Sequence, residues 1–194
     1  VLRQPLEEGK INVVRNRYQE EYPAEFLFVA AMNPCRCGYY PSPKCTCSAP
    51  SIQHYLSRIS QPLLDRFDLC VQTKRVDFAE LMGESDDEPS EQIRERVIMA
   101  LEIQKERYAD ESFTFNSQVT SRVIEEYCRL SAETKEYMKQ LFVAEELTAR
   151  GYYKILKVAR TIADLAGEKD VTRSHIAEAG YFRSLDRRFW EVRG

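Results

Sequence analysis

The stretch that most constrains this chain runs from Phe26 to Asp68. Phe26-Leu27-Phe28-Val29-Ala30-Ala31-Met32 is an apolar run of the length of a buried strand, and it stops at Asn33-Pro34. A residue before proline is pushed out of the helical region, so the pair marks a turn. A polar amide is thereby expected at the end of a buried strand. In open α/β sheets ligands bind beyond strand ends, which makes Asn33 a candidate ligand contact; the competing reading is a turn asparagine satisfied by its own loop.

Cys35, Cys37, Cys45 and Cys47 follow as two C-x-C pairs around a turn containing Gly38, Pro41 and Pro43. Four thiolates converging from two short turns are a donor set for tetrahedral Zn²⁺, although the spacing is tighter than a C-x-x-C knuckle. The alternatives are free thiols in a surface loop and two small disulfide rings, the latter opposed by a reducing compartment. Cys70 and Cys128 stand in apolar surroundings and read as core fillers. His54, on a predicted helix after the cluster, reads as an exposed side chain rather than a replacement ligand.

The 194 residues are 43% hydrophobic and 30% charged, which suits one or two globular units with ordinary cores. The longest apolar run ends at Met32 and is too short to span a bilayer. No basic-then-apolar leader precedes it, so the expectation is a cytoplasmic protein without membrane contact. A net charge of -3 argues against a freestanding nucleic-acid module, which carries a basic excess. It leaves DNA open as the partner of an assembly.

In chain order, residues 1–9 read as the last turns of a helix stopped by Gly9, and Ile11 to Val14 as a short strand. Arg15 to Glu25 reads as a charged connection into the Phe26 strand. A short helix is expected over 51–58, and a half-buried strand over Phe67 to Gln72. Met82 to Pro89 is acidic and without apolar periodicity, and Ser90 is a plausible cap for the helix after it. Beyond it the periodicity is helical throughout. The expected stripes are Ile93, Val97, Leu101 and Tyr108; Val123, Ile124 and Tyr127; Tyr137, Leu141, Phe142 and Leu147; and Ile155, Ala159, Ile162 and Ala166, stopped by Gly167. A last helix runs from Thr172 towards Trp190. The fold class is mixed α/β, mainly helical, with residues 1–82 an incomplete α/β core, 83–90 a linker and 91–194 a helical bundle.

Two arginines stand apart. Arg66 lies where a helix hands over to a strand, flanked by Asp65 and Asp68, either of which offers it an ion pair. Arg150 falls in the first turn of a helix capped by Thr148, where the macrodipole disfavours a cation and an anion would relieve both. A solvated arginine is the plain alternative there. Arg160, further along that helix, reads as a weaker phosphate contact or a solvated side chain.

Taken in order, Leu6-Glu7-Glu8-Gly9, Val29 to Cys35, Pro62-Leu63-Leu64-Asp65-Arg66-Phe67-Asp68-Leu69, Leu147-Thr148-Ala149-Arg150 and Ile155 to Leu165 resemble the ComM-type, magnesium-chelatase-related AAA+ ATPases. The resemblance covers nearly the whole chain. It implies the C-terminal portion of an AAA+ α/β core followed by an all-α lid. Asn33 would be the first sensor, Arg66 the arginine finger acting on a neighbouring subunit's nucleotide, and Arg150 the second sensor. It further implies ATP and Mg²⁺ as cofactors, a homo-oligomer, in this group a hexamer, and DNA branches as what the motor moves during uptake and recombination. The cysteine loop is similar to one in ComM-type proteins, which raises the reading of Cys35, Cys37, Cys45 and Cys47 as metal ligands; a structural Zn²⁺ is the ion that four thiolates lead one to expect there.

The chain departs from that pattern in one respect. None of its seven glycines belongs to a G-x-x-x-x-G-K-[ST] loop, and no apolar strand ends in Asp-Glu. The expectation is that these elements lie upstream of Val1 and that this chain alone does not turn over ATP. Two other readings remain: a zinc-bearing helical interaction module with no nucleotide site, and a true metal chelatase subunit.

Overall fold

The computed structural model describes residues 2–15, 18–73, 76, 78, 82 and 88–190, the last seven by backbone alone. The chain divides into two compact units, Val1–Phe67 with Asp186–Gly194, and Asp68–Leu185. The expected linker lies mostly outside the described residues. No helix among the described residues is long and apolar enough to cross a membrane.

In the first unit, α1 (Arg3–Glu8) ends at Gly9, whose φ of 65° is the left-handed conformation that stops a helix. Two antiparallel strands follow, β1 (Lys10–Arg15) and β2 (Tyr18–Pro23), in register from Lys10 opposite Pro23 to Arg15 opposite Tyr18. The reading of 15–25 as a connection is therefore corrected. The segment pairs as a strand although it is charged, because every residue of β2 is exposed and a solvated ribbon accepts polar side chains on both faces. Lys10 and Glu21 form an ion pair across it at 2.8 Å.

The buried strand expected over Phe26–Met32 is not formed. Leu27 and Val29 are 90% and 80% exposed, and no strand pairs with the segment among the described residues. A strand exists only where a neighbour takes up its N–H and C=O groups. Phe28 instead packs its ring against Phe67 at 5.4 Å. The strand expected over Phe67–Gln72 fails likewise, with Leu69 and Val71 largely exposed. Between these segments lie α2 (Ala49–Leu56) and the single turn α3 (Gln61–Leu64), each with a proline in its first turn, where the missing N–H costs nothing.

The second unit is helical: α4 (Ser90–Arg107), the one-turn α5 (Ile124–Tyr127), α6 (Ala132–Ala144), α7 (Ala149–Leu165) and, as far as Leu185, α8 (Arg173–Trp190). Its core gathers Val119, Ile124, Met138, Ile155, Leu156, Ala159, Ala163 and Ile176. Two caps are those the sequence offers: Thr148 accepts from the Gly151 N–H at 3.1 Å, and Gly167, just past α7, takes a φ of 69°. The cap expected of Ser90 is corrected: Ser90 is the first residue of α4, whose N-cap is Pro89 with no side-chain cap bond.

The expected stripes are corrected in part: Phe142 and Ala166 are exposed, and the first stripe is turned. On α4 the buried positions are Ala100 and Gln104, with Tyr108 just beyond, whereas Ile93 and Val97 are exposed. Polar partners turn the helix. Gln104 Oε1 accepts from the Asn116 N–H at 2.9 Å, the Tyr108 hydroxyl donates to Asn116 at 2.7 Å, and Arg107 pairs with Asp164. A buried polar group left unmatched costs more than an exposed isoleucine, so the hydrogen-bonding face wins.

Candidate functional site

The cysteine loop is built by three tight turns, closed by the Gly38 N–H on Cys35 O, the Ser42 N–H on Tyr39 O and the Cys45 N–H on Ser42 O. Gly38 takes a left-handed φ of 77°. The four sulfurs converge to within 4.8 Å of one another. Cys35 Sγ lies 3.4 Å from Cys37 Sγ and 3.7 Å from Cys45 Sγ, and Cys37 and Cys45 are 3.5 Å apart. Cys35 is fully buried and the other three half-buried, with Ile52 and Leu56 of α2 packed on the cluster. Such a group of soft donors can hold a metal ion.

The crowding shows in the thiol acidities. Hydrogen bonds from the Tyr39 and then the Thr46 backbone N–H draw Cys37 down to about 6. The Cys47 N–H pulls the same way on Cys45, but burial and the sulfurs of Cys37 and Cys35 carry it up to about 12. Backbone donors thus face the sulfur cluster as they face a thiolate site. Of the other cysteines, Cys128 is the core filler expected, its thiol pushed up to about 11 by burial. Cys70 is only half-buried, and its backbone N–H donates to Phe182 O at 3.2 Å. His54 is exposed and stands outside the metal-binding group.

Arg66 makes an ion pair with a residue distant in sequence. Its guanidinium pairs with Glu7 of α1, and also donates to Pro62 O and, at 3.1 Å, to Arg3 O. The side chain is accordingly only 14% exposed, with Nε, Nη1 and Nη2 all engaged. Arg66 is thereby bound to α1 and α3 together, and Arg3 adds a bond to Ser60 Oγ at 3.0 Å. Asn33 is exposed at the mouth of the cysteine loop, close enough that a Cβ on Gly38 would lie 3.9 Å from its amide. No hydrogen bond joins Asn33 to Arg66.

Arg150 is exposed in the first turn of α7, a turn without an acidic residue. Lys154 and Lys157 follow at helical spacing on the same side. Burial pulls the Lys154 ammonium below its ordinary value, Asp68 opposes this through an ion pair of 2.8 Å, and the charges of Arg183 and Arg150 lower it further. Lys157 is lowered by burial too, and donates to Ser117 O at 2.8 Å. Arg150, Lys154 and Lys157 thus share one side of the first half of α7, with Lys154 paired to Asp68 and Lys157 bonded to a carbonyl.

Arg160 does not solvate a face. It is buried, donates to Asp164 at 3.1 Å, and reaches the Lys169 and Glu168 carbonyls at 2.7 and 2.6 Å. Arg160, Asp164, Arg107 and Asn116 form a hub that sequence reasoning missed. The spacing of Arg160 and Asp164 by four residues on one helix was its only sequence signal.

Residues 1–81 match the family model of magnesium chelatase, subunit ChlI, and residues 87–183 match that of magnesium chelatase, subunit ChlI C-terminal. The chain belongs to the magnesium chelatase ChlI family. Within it the chain is 39% identical over 187 residues to competence protein ComM of Haemophilus influenzae, covering 96% of this chain and 36% of ComM. It is 35% identical over 191 residues to YifB of Escherichia coli, with 96% and 36% covered. A Mycobacterium tuberculosis protein is 35% identical over 187 residues, with 96% and 37% covered. The ComM-type, magnesium-chelatase-like resemblance read from the motifs is thus borne out. The chain spans about a third of the length of these relatives, 36% for ComM.

Proposed function

We propose that this chain is the part of an ATP-driven AAA+ motor that senses and completes the nucleotide site. The phosphate-cradling loop and the Mg²⁺ carboxylate would be supplied by sequence upstream. Asn33 polarises the attacking water, Arg66 reaches the γ-phosphate of a neighbouring subunit, and Arg150 binds the phosphates from the helical lid, residues 91–194. ATP and Mg²⁺ are the cofactors, a cytoplasmic hexamer is the working form, and branched DNA of uptake and recombination is what the motor moves. The observation that carries this reading is that two ChlI family models run in succession over the chain. Similarity to a competence protein points the motor towards DNA.

In phosphoryl transfer the charge on the equatorial oxygens is the main target of catalysis, and a guanidinium delivered from a partner contributes about 10³ to 10⁵ in rate. On this reading the Arg66–Glu7 pair is a resting latch, and subunit contact exchanges Glu7 for a γ-phosphate. The test is ATP turnover and nucleotide binding by the longer protein that carries the phosphate loop. Arg66→Ala should keep nucleotide affinity and lose most turnover. Unchanged turnover removes Arg66 from the site.

A further inference from the structure

The cysteine loop has no task in the ATPase reading, and its geometry carries an inference independent of that reading. An ion bound to four thiolates at about 2.3 Å sets sulfur–sulfur edges of about 3.8 Å. The separations of 3.4, 3.5 and 3.7 Å among Cys35, Cys37 and Cys45 are close to that cage. They are far beyond the about 2.05 Å of a disulfide, and a multi-iron cluster, with sulfides and several metals between the same ligands, needs a wider one.

The local charge fits as well. A divalent ion on four thiolates is formally a dianion, which cations nearby stabilise and carboxylates oppose. Residues 26–64 contain no Asp or Glu. Arg36 lies between Cys35 and Cys37, and Lys44 immediately precedes Cys45; both are exposed. The packing supplies a reason for an ion. Ile52 and Leu56 of α2 are buried against the sulfurs, with Tyr40 and Tyr55 at the margin. This patch is small for a core, so the loop beneath α2 needs a fastening other than apolar area.

We propose that Cys35, Cys37, Cys45 and Cys47 hold a single Zn²⁺ whose task is structural, fixing the 35–47 loop as the floor on which α2 docks. With four thiolates as ligands the ion has no open position for water, so it does no chemistry on a substrate.

The test uses the whole chain, purified without chelator. Metal analysis should give one zinc per chain, kept in Cys70→Ser and lost in the double variant Cys35→Ser, Cys45→Ser. Because that variant is open to misfolding, the wild-type chain is also titrated with a mercurial, which should release zinc in proportion to the four thiols blocked. Since binding energy at a structural zinc site is local folding energy, stripping the ion should lower the hydrogen-exchange protection of Ile52 and Leu56 amides by about tenfold or more. Protection at Ala159 and Ala163 should stay unchanged. Substoichiometric zinc with all four thiols alkylated natively, or iron in its place, overturns the ion. Zinc that leaves without changing protection in α2 overturns its structural task.

Discussion

The two units of this chain solve the problem of burial differently. In the Asp68–Leu185 unit, helices enclose a continuous core from Val119 to Ile176 with a saturated ion-pair hub beside it. In the Val1–Phe67 unit the buried apolar side chains include Cys35, Leu56, Leu64 and Ile52, while the longest apolar run in the sequence lies largely exposed. Apolar composition alone does not make a core. Ile155, Leu156, Ala159 and Ala163 are buried because neighbouring helices supply the opposite wall; Phe26 to Met32 meets no such wall among the described residues. The first unit accordingly relies on local chemistry: sulfur donors at 35–47, and a guanidinium tying α1 to α3.

That contrast is sharpened first by removing a charge from the hub. The Asp164 side chain is fully buried between Arg107 and Arg160. Asp164→Ala leaves two cations without their carboxylate and should cost about 3–5 kcal/mol, read as a fall in urea midpoint of the helical unit. The metal content of the cysteine loop should not change. A loss of both together would mean that the two units do not stand separately.

Next in size, Ile155→Ala opens a cavity in the helical core and should cost about 2–5 kcal/mol. Thr148→Ala removes the cap of α7 and should cost about 1 kcal/mol, with the loss concentrated in exchange rates of the first-turn amides. The smallest effect tests the other side of the comparison. Leu27→Ala, at a side chain 90% exposed, should stay within about 0.5 kcal/mol by denaturant unfolding of this chain. A cost as large as that of Ile155→Ala would show that the 26–32 run is covered in solution.

What the sequence made legible follows the range of the interactions. Gly9, Thr148 and Gly167 act within one turn of the chain, and each ends or starts a helix where its chemistry places it. The convergence of the cysteines was legible for the same reason, since all four come from one short loop. The strand expected at Phe26 was not, because a strand depends on a partner that no local pattern specifies. Arg66 shows the limit most clearly. Its neighbours Asp65 and Asp68 were the visible candidates, and an ion pair forms with Glu7, far away in sequence and brought near by α1 and α3. Lys154 likewise takes Asp68, a partner no spacing rule would select. On α4 the apolar stripe misled because Gln104 and Arg107 had buried partners on other elements.

The central claim, that Arg66 works on a neighbour's nucleotide, is tested most directly by mixing two inactive variants of the longer protein. One carries Arg66→Ala, and the other lacks the phosphate-loop lysine; Glu7→Gln, which breaks the latch but keeps the guanidinium, serves as the control. Arg66→Ala should reduce turnover by about 10³ to 10⁵ with nucleotide binding intact, and Glu7→Gln should retain it. Mixing the two inactive proteins should restore part of the activity, because some interfaces then join an intact cradle to an intact finger. No recovery on mixing, with Glu7→Gln as inactive and as unstable as Arg66→Ala, would contradict the account and make the pair a structural tie between α1 and α3.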